Sequence, residues 1–391
     1  MKKSYKIIND PVHGFINIPS GLIQEIIEHP YFQRLRDIRQ LGMTNLVYPG
    51  ATHSRLLHAL GAMHLMKEAI DALRSKGIEI DASEEEASMC AMLLHDIGHG
   101  PFSHALENNL LVGISHEEIS LAMMKAINKE KNNALAKTIE IFEDKYPKHF
   151  LHQLVSSQLD VDRLDYLRRD SFFSGVAEGM IGHERIIKML NVHENSLVVE
   201  EKGIYSVEKF LISRRLMFWQ VYLHKTVIAA EQLLIQILRR ARELTQGSVQ
   251  LQGSSAIFFF MRNKFSEGDL DDRSIIDKFA MLDDNDFIST IKQWHYCDDK
   301  ILSLLSRNLS MRRLPKIILS SEPINPELCS GEDYLVQCGE VVNEGYDIEG
   351  EFIGIMSKDG KVKNIYDISD MLSAKAFSQV TKKYFLCTAR L

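Results

Sequence analysis

Chain breakers are scarce: glycine and proline make up about 8% of the 391 residues, against roughly 12% in an average protein. A fold of many short strands and turns is thereby disfavoured, and a mainly helical one is expected. Long apolar runs are missing as well. No stretch of about 18 uncharged apolar residues occurs, so no membrane-spanning helix is expected. The first residues, MKKSYKIINDP, carry lysines without an apolar segment behind them, so no secretory leader is expected either. A basic excess is also lacking. The formal charge of −7 argues against a dedicated nucleic-acid binder, which needs a cationic surface, but leaves room for a local basic pocket. The five cysteines (Cys90, Cys297, Cys329, Cys338, Cys387) are odd in number and scattered, which fits neither a disulfide framework nor a CxxC metal site. A reducing, cytoplasmic compartment suits them best.

What is present is enough for a full core, with 45% hydrophobic and 25% charged residues. Residues 5–18, YKIINDPVHGFINI, hold two β-like runs around Asp10, Pro11 and Gly14 and predict an N-terminal hairpin. Apolar residues then recur at three-to-four spacing over 20–42, 54–77, 84–97, 115–129 and 150–170, which predicts helices. A further long helix is predicted over about 206–246. The stretch 248–270 marks a break, 271–308 is helical again, and beyond about 315 the period shifts toward two, with a hairpin signal at Asp359-Gly360. The expected organisation is a helical core over 1–248 and a smaller C-terminal α+β region over 249–391, with an oligomerisation or regulatory role.

Three segments could carry chemistry. LLHDIGHGPFSH at 93–104 ends an apolar helix in His95-Asp96, neighbours that can reach one cation. Alone, that dipeptide is better explained as a hydrogen-bonded helix end. Its surroundings change the balance: His58, His95, His99, His104 and His116 all fall within one largely apolar span, with Glu107 close by. On a helix, QLDVDRLDYLRRD at 158–170 places Asp162, Tyr166, Arg169 and Asp170 on one face. In isolation a solvated helix laced with Asp/Arg pairs would be favoured. In SRRLMFWQVYLHK at 213–225, Arg214, Phe218, Tyr222 and Lys225 would align, joining cations for phosphate to aromatics for base or sugar. An amphipathic helix with basic residues reaching outward is the plainer alternative.

In order, YKIINDPVHG (5–14), FQRLRDIRQLG (32–42), YPGATHSRLLHALG (48–61), HDIGHGPFSH (95–104), LDVDRLDYLRRD (159–170) and YLHK (222–225) resemble the HD-domain deoxynucleoside triphosphate triphosphohydrolases. These are bacterial relatives of a vertebrate enzyme that carries an extra SAM domain. The likeness covers roughly the first 245 residues. It implies a helical HD core and a divalent metal ion held by His58, His95, Asp96 and Asp162. Iron, manganese, magnesium, zinc and nickel all remain open.

The same resemblance implies attack on the α-phosphorus of a dNTP, releasing a deoxynucleoside and triphosphate. His104, backed by Glu107, would be the acid for the leaving oxygen, and His99 and His116 would orient water or phosphate. Arg55, Arg163, Arg214 and Lys225 would grip the triphosphate. Gln40, Leu41, Tyr166, Asp170 and Tyr222 would meet the nucleoside, with Tyr222 crowding the 2′ position. Phe218 stands where the vertebrate relative has a histidine, so contacts there differ. A GTP or dGTP activator would sit at Lys6, Asn9, Glu28, Gln33 and Arg36, which requires a homo-oligomer, dimer or tetramer. Glu28 replaces an aspartate in that set. Rival readings are an HD phosphohydrolase of another nucleotide, ribose, monophosphate or cyclic, and a nucleotide-binding regulatory module without catalysis.

Overall fold

The structure, a computed structural model, describes residues 5–102, 106, 111, 113–247, 249–329, 334–343, 352–371 and 381–390. The expected hairpin forms, with β1 (Tyr5–Asp10) antiparallel to β2 (Gly14–Pro19). Its turn works because Gly14 takes a φ of 77° and the Asp10 carboxylate accepts from the amides of Val12 and His13.

Around it lies a mainly helical body. Short helices α1 (Leu22–Glu28) and α2 (Pro30–Gln33) lead through 3-10 turns at Arg34–Asp37 and Gly42–Leu46 to α3, Arg55–Ser75. The 20–42 segment is therefore several pieces: Pro30 cannot continue α1, and Gly42 turns left-handed. Helix α3 is proline-free, rich in leucine, alanine and methionine, and central. It packs on α4 (Ala82–Leu94), whose start is closed by an Asp81–Glu84 capping box, and on α8 (Val161–Ser174). Between α4 and α8 come α5 (His116–Glu130), α6 (Ala136–Phe142) and α7 (His149–Val155). The predicted 150–170 helix is thus two helices, because the Asp160 side chain accepts from the Arg163 amide and starts α8 afresh.

Helix α9 (His183–Met189) leads to a hairpin that the sequence pattern did not show, β3 (Leu190–His193) with β4 (Ser196–Glu200). The predicted 206–246 helix is also interrupted. Helix α10 (Ile204–Met217) runs into a π-turn at Phe218–Tyr222, and α11 (Lys225–Gln246) starts again with His224 accepting from the Thr226 amide. The stretch taken as a break contains α12 (Ser255–Arg262). Helices α13 (Arg273–Ala280), α14 (Asp284–Gln293) and α15 (Lys300–Ser310) follow.

Strand β5 (Lys316–Ser320) and β6 (Val336–Asn343) flank β9 (Thr381–Thr388) in an antiparallel sheet. The Asp359-Gly360 hairpin joins β7 (Gly354–Met356) to β8 (Val362–Asn364), and β7 pairs in parallel with β4. That pairing sews the C-terminal region onto the helical body. One continuous apolar cluster accordingly runs from Ile16 to Ile365. The cysteine expectation needs one correction: Cys329 and Cys338 are disulfide-bonded, because the 3-10 turn at Pro326–Cys329 returns the chain to β6. No helix among the described residues is long and apolar enough to cross a membrane.

Candidate metal centre

Three elements converge on one spot. His58 lies one turn into α3, His95 and Asp96 follow the end of α4, and Asp162 lies in the first turn of α8. Asp162 Oδ1 is 3.0 Å from His58 Nε2 and 3.4 Å from His95 Nε2; Asp96 Oδ1 is 3.3 Å from His95 Nε2 and Oδ2 is 3.8 Å from His58 Nε2. Both Nε2 atoms are buried without a well-aligned hydrogen bond. The ligand atoms of His58, His95 and Asp162 lie within 4.8 Å of one another, a donor set that fits a divalent ion, and Asp96 flanks it beside His95.

The far sides of these rings are fixed. His58 Nδ1 meets Asp165 Oδ2 at 2.8 Å, and His95 Nδ1 donates to the Met92 carbonyl at 2.7 Å, so each ring presents Nε2 to the centre. Burial disfavours a charged His58, yet Asp162 and Asp165 raise its pKa to about 10. Burial would likewise raise Asp162, but His58 and His95 hold it below the usual carboxylate range. The cluster is an anionic cage that binds positive charge, as protons or as a metal.

Asp96 joins a second group. Its Oδ1 is 3.3 Å from His99 Nδ1, the His99 and His116 rings lie 3.8 Å apart, and Arg55 donates to Asp96 Oδ2. Burial and the Arg55 charge push His99 down to about 3, so its imidazole stays neutral and resists protonation, and its role is to orient a water by hydrogen bonding. His104 and Glu107 lie outside the described residues.

On the far side stands an aromatic wall. The rings of Tyr166 and Tyr222 are 6.1 Å apart, and those of Phe218 and Tyr222 are 5.3 Å apart. The π-turn, rather than a straight helix, swings Tyr222 so that its hydroxyl donates to Asp170 Oδ2 at 2.8 Å. Lys225 follows it, exposed at the start of α11. Arg214 donates to Gln158, and Arg163 pairs with Asp160. Asp160 is thus occupied with capping and Arg163, while Asp162 faces the histidines. Gln40 has a buried side-chain oxygen without a hydrogen-bond partner, beside half-buried Leu41.

Arg169, seven residues on from Asp162 and on the same side of α8, is not solvated: it is fully buried, bonded bidentately to Asp165 and to Asp10 at 2.7 Å. The solvated-helix alternative fails with it, since Asp165 and Arg169 are both 0% exposed. Residues of the site that sequence reasoning missed are Asp165, His13, whose Nε2 lies 2.6 Å from Asp165 Oδ1, and His53, whose Nε2 lies 2.8 Å from Asp170 Oδ1. Aspartate recurring at 162 and 165 was the available signal, because i and i+3 share a helix face. The expected effector residues lie on the exposed surface, Lys6 paired with Glu28 at 2.5 Å and Arg36 with Gln33 at 2.9 Å, with Asn9 exposed nearby on β1.

Behind Asp165 a polar cavity of about 510 Å³ is lined by His13, His64, Arg168 and His183. Burial and the neighbouring Arg168 push His183 down to about 4, so folding is opposed wherever the unfolded chain takes up a proton that folded His183 refuses. The stabilising effect is full above about 6.5 and is lost as pH falls toward 4. The melting-temperature advantage of wild type over His183→Gln should therefore shrink between pH 6.5 and 4. A difference constant across that range would show that His183 is not held neutral.

The sequence matches the HD domain over residues 55–170 and the HD-associated region over 181–264. The chain belongs to the HD-domain phosphohydrolase family. A crystal structure of a phosphohydrolase from Bacteroides thetaiotaomicron is 50% identical, with a TM-score of 0.95 over 99% of this chain and 100% of that one. The uncharacterized protein YwfO of Bacillus subtilis is 34% identical over 79% of this chain and 71% of its own length. A Dictyostelium discoideum protein named deoxynucleoside triphosphate triphosphohydrolase SAMHD1 homolog is 32% identical over 64% of this chain. This chain spans about half of that protein, 52%.

Proposed function

We propose that the protein hydrolyses deoxynucleoside triphosphates to deoxynucleoside and triphosphate. The observation that carries this reading is the adjacency of the metal cage to an aromatic wall ending in the Tyr222–Asp170 pair. The two are close enough that Asp162 acts electrostatically on both Tyr166 and Tyr222. A divalent ion bound by His58, His95, Asp96 and Asp162 would polarise a phosphoryl oxygen and favour ionisation of the attacking water.

The chain's own groups do the rest. Arg55, Arg163, Arg214 and Lys225 bind phosphate oxygens, the first three already lying around Asp96, Asp160 and Gln158. His99 and His116 orient water, and His104 with Glu107 protonates the leaving 5′-oxygen. Tyr222 stays protonated, because burial and Asp170 hold its pKa well up, and it closes the space a 2′-hydroxyl would need. Gln40 and Asp170 take the 3′-hydroxyl.

Activation by GTP or dGTP at Lys6, Asn9, Glu28, Gln33 and Arg36 within a homo-oligomer belongs to the same proposal. The nucleotide would exchange the Lys6–Glu28 and Arg36–Gln33 contacts for its own phosphates and base edge.

The test is a panel of the four dNTPs and four NTPs with metal-loaded protein, with and without GTP or dGTP, products separated by chromatography. Deoxynucleoside and triphosphate are expected; dNDP and orthophosphate as first products would overturn the reading. Tyr222→Ala should raise the NTP rate relative to the dNTP rate by about tenfold, the scale of one lost steric contact in a pocket. An unchanged ratio would remove Tyr222 from sugar selection. Arg36→Ala and Glu28→Ala should abolish any activation by the second nucleotide while leaving the unactivated rate in place.

A further inference from the structure

The segment Ile97–Phe102, directly after the metal ligands His95 and Asp96, is gripped from two sides. On one side Ser120 of α5 accepts from the Gly98 amide at 2.9 Å and donates to the His95 carbonyl at 2.8 Å. On the other side the grip comes from Arg34, earlier in the chain, and from residues 279–287, some 180 positions later. Arg34, buried without a carboxylate partner, donates to the carbonyls of Ile97 (2.9 Å), His99 (2.9 Å) and, on the C-terminal side, Leu282 (3.3 Å). Its guanidinium lies 5.1 Å from the centre of the Phe279 ring. Asp284 accepts from the Phe102 amide at 3.3 Å and from the Arg39 amide at 3.1 Å. Phe287 meets Phe102 edge-on at 6.2 Å, and Phe279 lies 3.7 Å from where a side chain on Gly100 would begin.

The backbone explains why such a grip is needed. Phe102 has a φ of 53°, a left-handed conformation that a bulky residue adopts only when its surroundings enforce it. Its surroundings are Asp284 and Phe287. Asp284 is itself 3% exposed, and its carboxylate is held in the interior by these two amides and by the Arg39 guanidinium 4.0 Å away.

We infer that the α13–α14 pair is a positioning element of the metal centre: through Asp284, and through Leu282 by way of Arg34, it holds Ile97–Phe102 in the strained turn that sets His95, Asp96 and His99. The metal-affinity and exchange consequences stand on geometry alone; the consequence for turnover rests on the proposed dNTP reaction.

The test compares wild type with Asp284→Ala, the milder Asp284→Asn, which retains one acceptor oxygen, and Phe385→Ala in β9, whose ring lies in a separate apolar cluster with Ile228 and Cys387, as a destabilised control. Mn²⁺ affinity is measured by titration calorimetry, and hydrogen exchange is followed on a peptide covering 97–102. Asp284→Ala should weaken Mn²⁺ about tenfold and speed exchange at 97–102 by about tenfold, while peptides of α3 change little. Asp284→Asn should fall between, and Phe385→Ala should leave both readings at the wild-type value. On a dNTP, Asp284→Ala should lower kcat about tenfold with KM nearly unchanged. If Asp284→Ala does not fold, Asp284→Asn alone decides. Unchanged Mn²⁺ affinity and unchanged exchange in the folded Asp284 variants would overturn the inference, as would equal losses in Phe385→Ala. A wild type inactive on every dNTP would instead sink the proposed function and leave the Mn²⁺ and exchange results to decide this one.

Discussion

Asp162→Ala is expected to bring metal content to background and to lower phosphohydrolysis by roughly a thousandfold or more. The magnitude follows from the charge stabilisation a metal gives a phosphoryl transition state, several kcal/mol, at about 1.4 kcal/mol per tenfold in rate. The fold should survive. Asp162 is 23% exposed at the mouth of the cage, and its removal takes an anion from a crowd that includes Asp96, Asp160 and Asp165. His58 keeps its bond to Asp165. In chelator the melting temperature of Asp162→Ala should fall only modestly, because the carboxylate that His58 and His95 stabilise is lost while the rest of the network stays in place. Metal analysis and calorimetry check both halves. Retention of stoichiometric metal by Asp162→Ala would remove this residue from the ligand set.

Asp165→Ala is expected to do the reverse, damaging the fold first. Its two oxygens receive His13, His58 and the Arg169 guanidinium in a fully buried network that Asp10 completes. Removing it leaves the buried Arg169 charge half-compensated. Such losses cost about 3–5 kcal/mol, a large share of the roughly 5–15 kcal/mol by which a domain is stable. Metal affinity should fall as well, by about 10- to 100-fold, because nothing then fixes the His58 ring. Gly61→Ala should produce the same phenotype from the opposite direction, since a side chain there would begin 2.1 Å from both Asp165 and Arg169. Denaturant melts and metal titrations of the two variants provide the check. Wild-type stability in Asp165→Ala would show that the network contributes little.

These effects also mark what the sequence could and could not reveal. The hairpin at 5–19, the helices around His58 and His95 and the Asp359-Gly360 hairpin follow local rules of period and turn chemistry, and they were legible. The buried pairing of Asp165 with Arg169 was not. An Asp/Arg pair four apart reads as a solvated helix face, and only the packing of α8 against Gly61 of α3 turns it inward. The π-turn at Phe218–Tyr222 was hidden because it preserves helical hydrophobicity while shifting the register of Tyr222. Strands β3 and β4 are four and five residues long and owe their stability to β7, more than 150 positions away, a contact no local pattern carries. The link from Asp284 to Phe102 is non-local in the same way.

The central claim is attack of water on the α-phosphorus of a deoxynucleotide at this metal cage, and isotope placement reads it directly. A dNTP is hydrolysed in ¹⁸O-labelled water by the metal-loaded protein, and the products are weighed by mass spectrometry. The predicted result is one ¹⁸O in the released triphosphate, at the former α position, and none in the deoxynucleoside. Label in orthophosphate beside unlabelled dNDP, or in the 5′-hydroxyl of the deoxynucleoside, would contradict it.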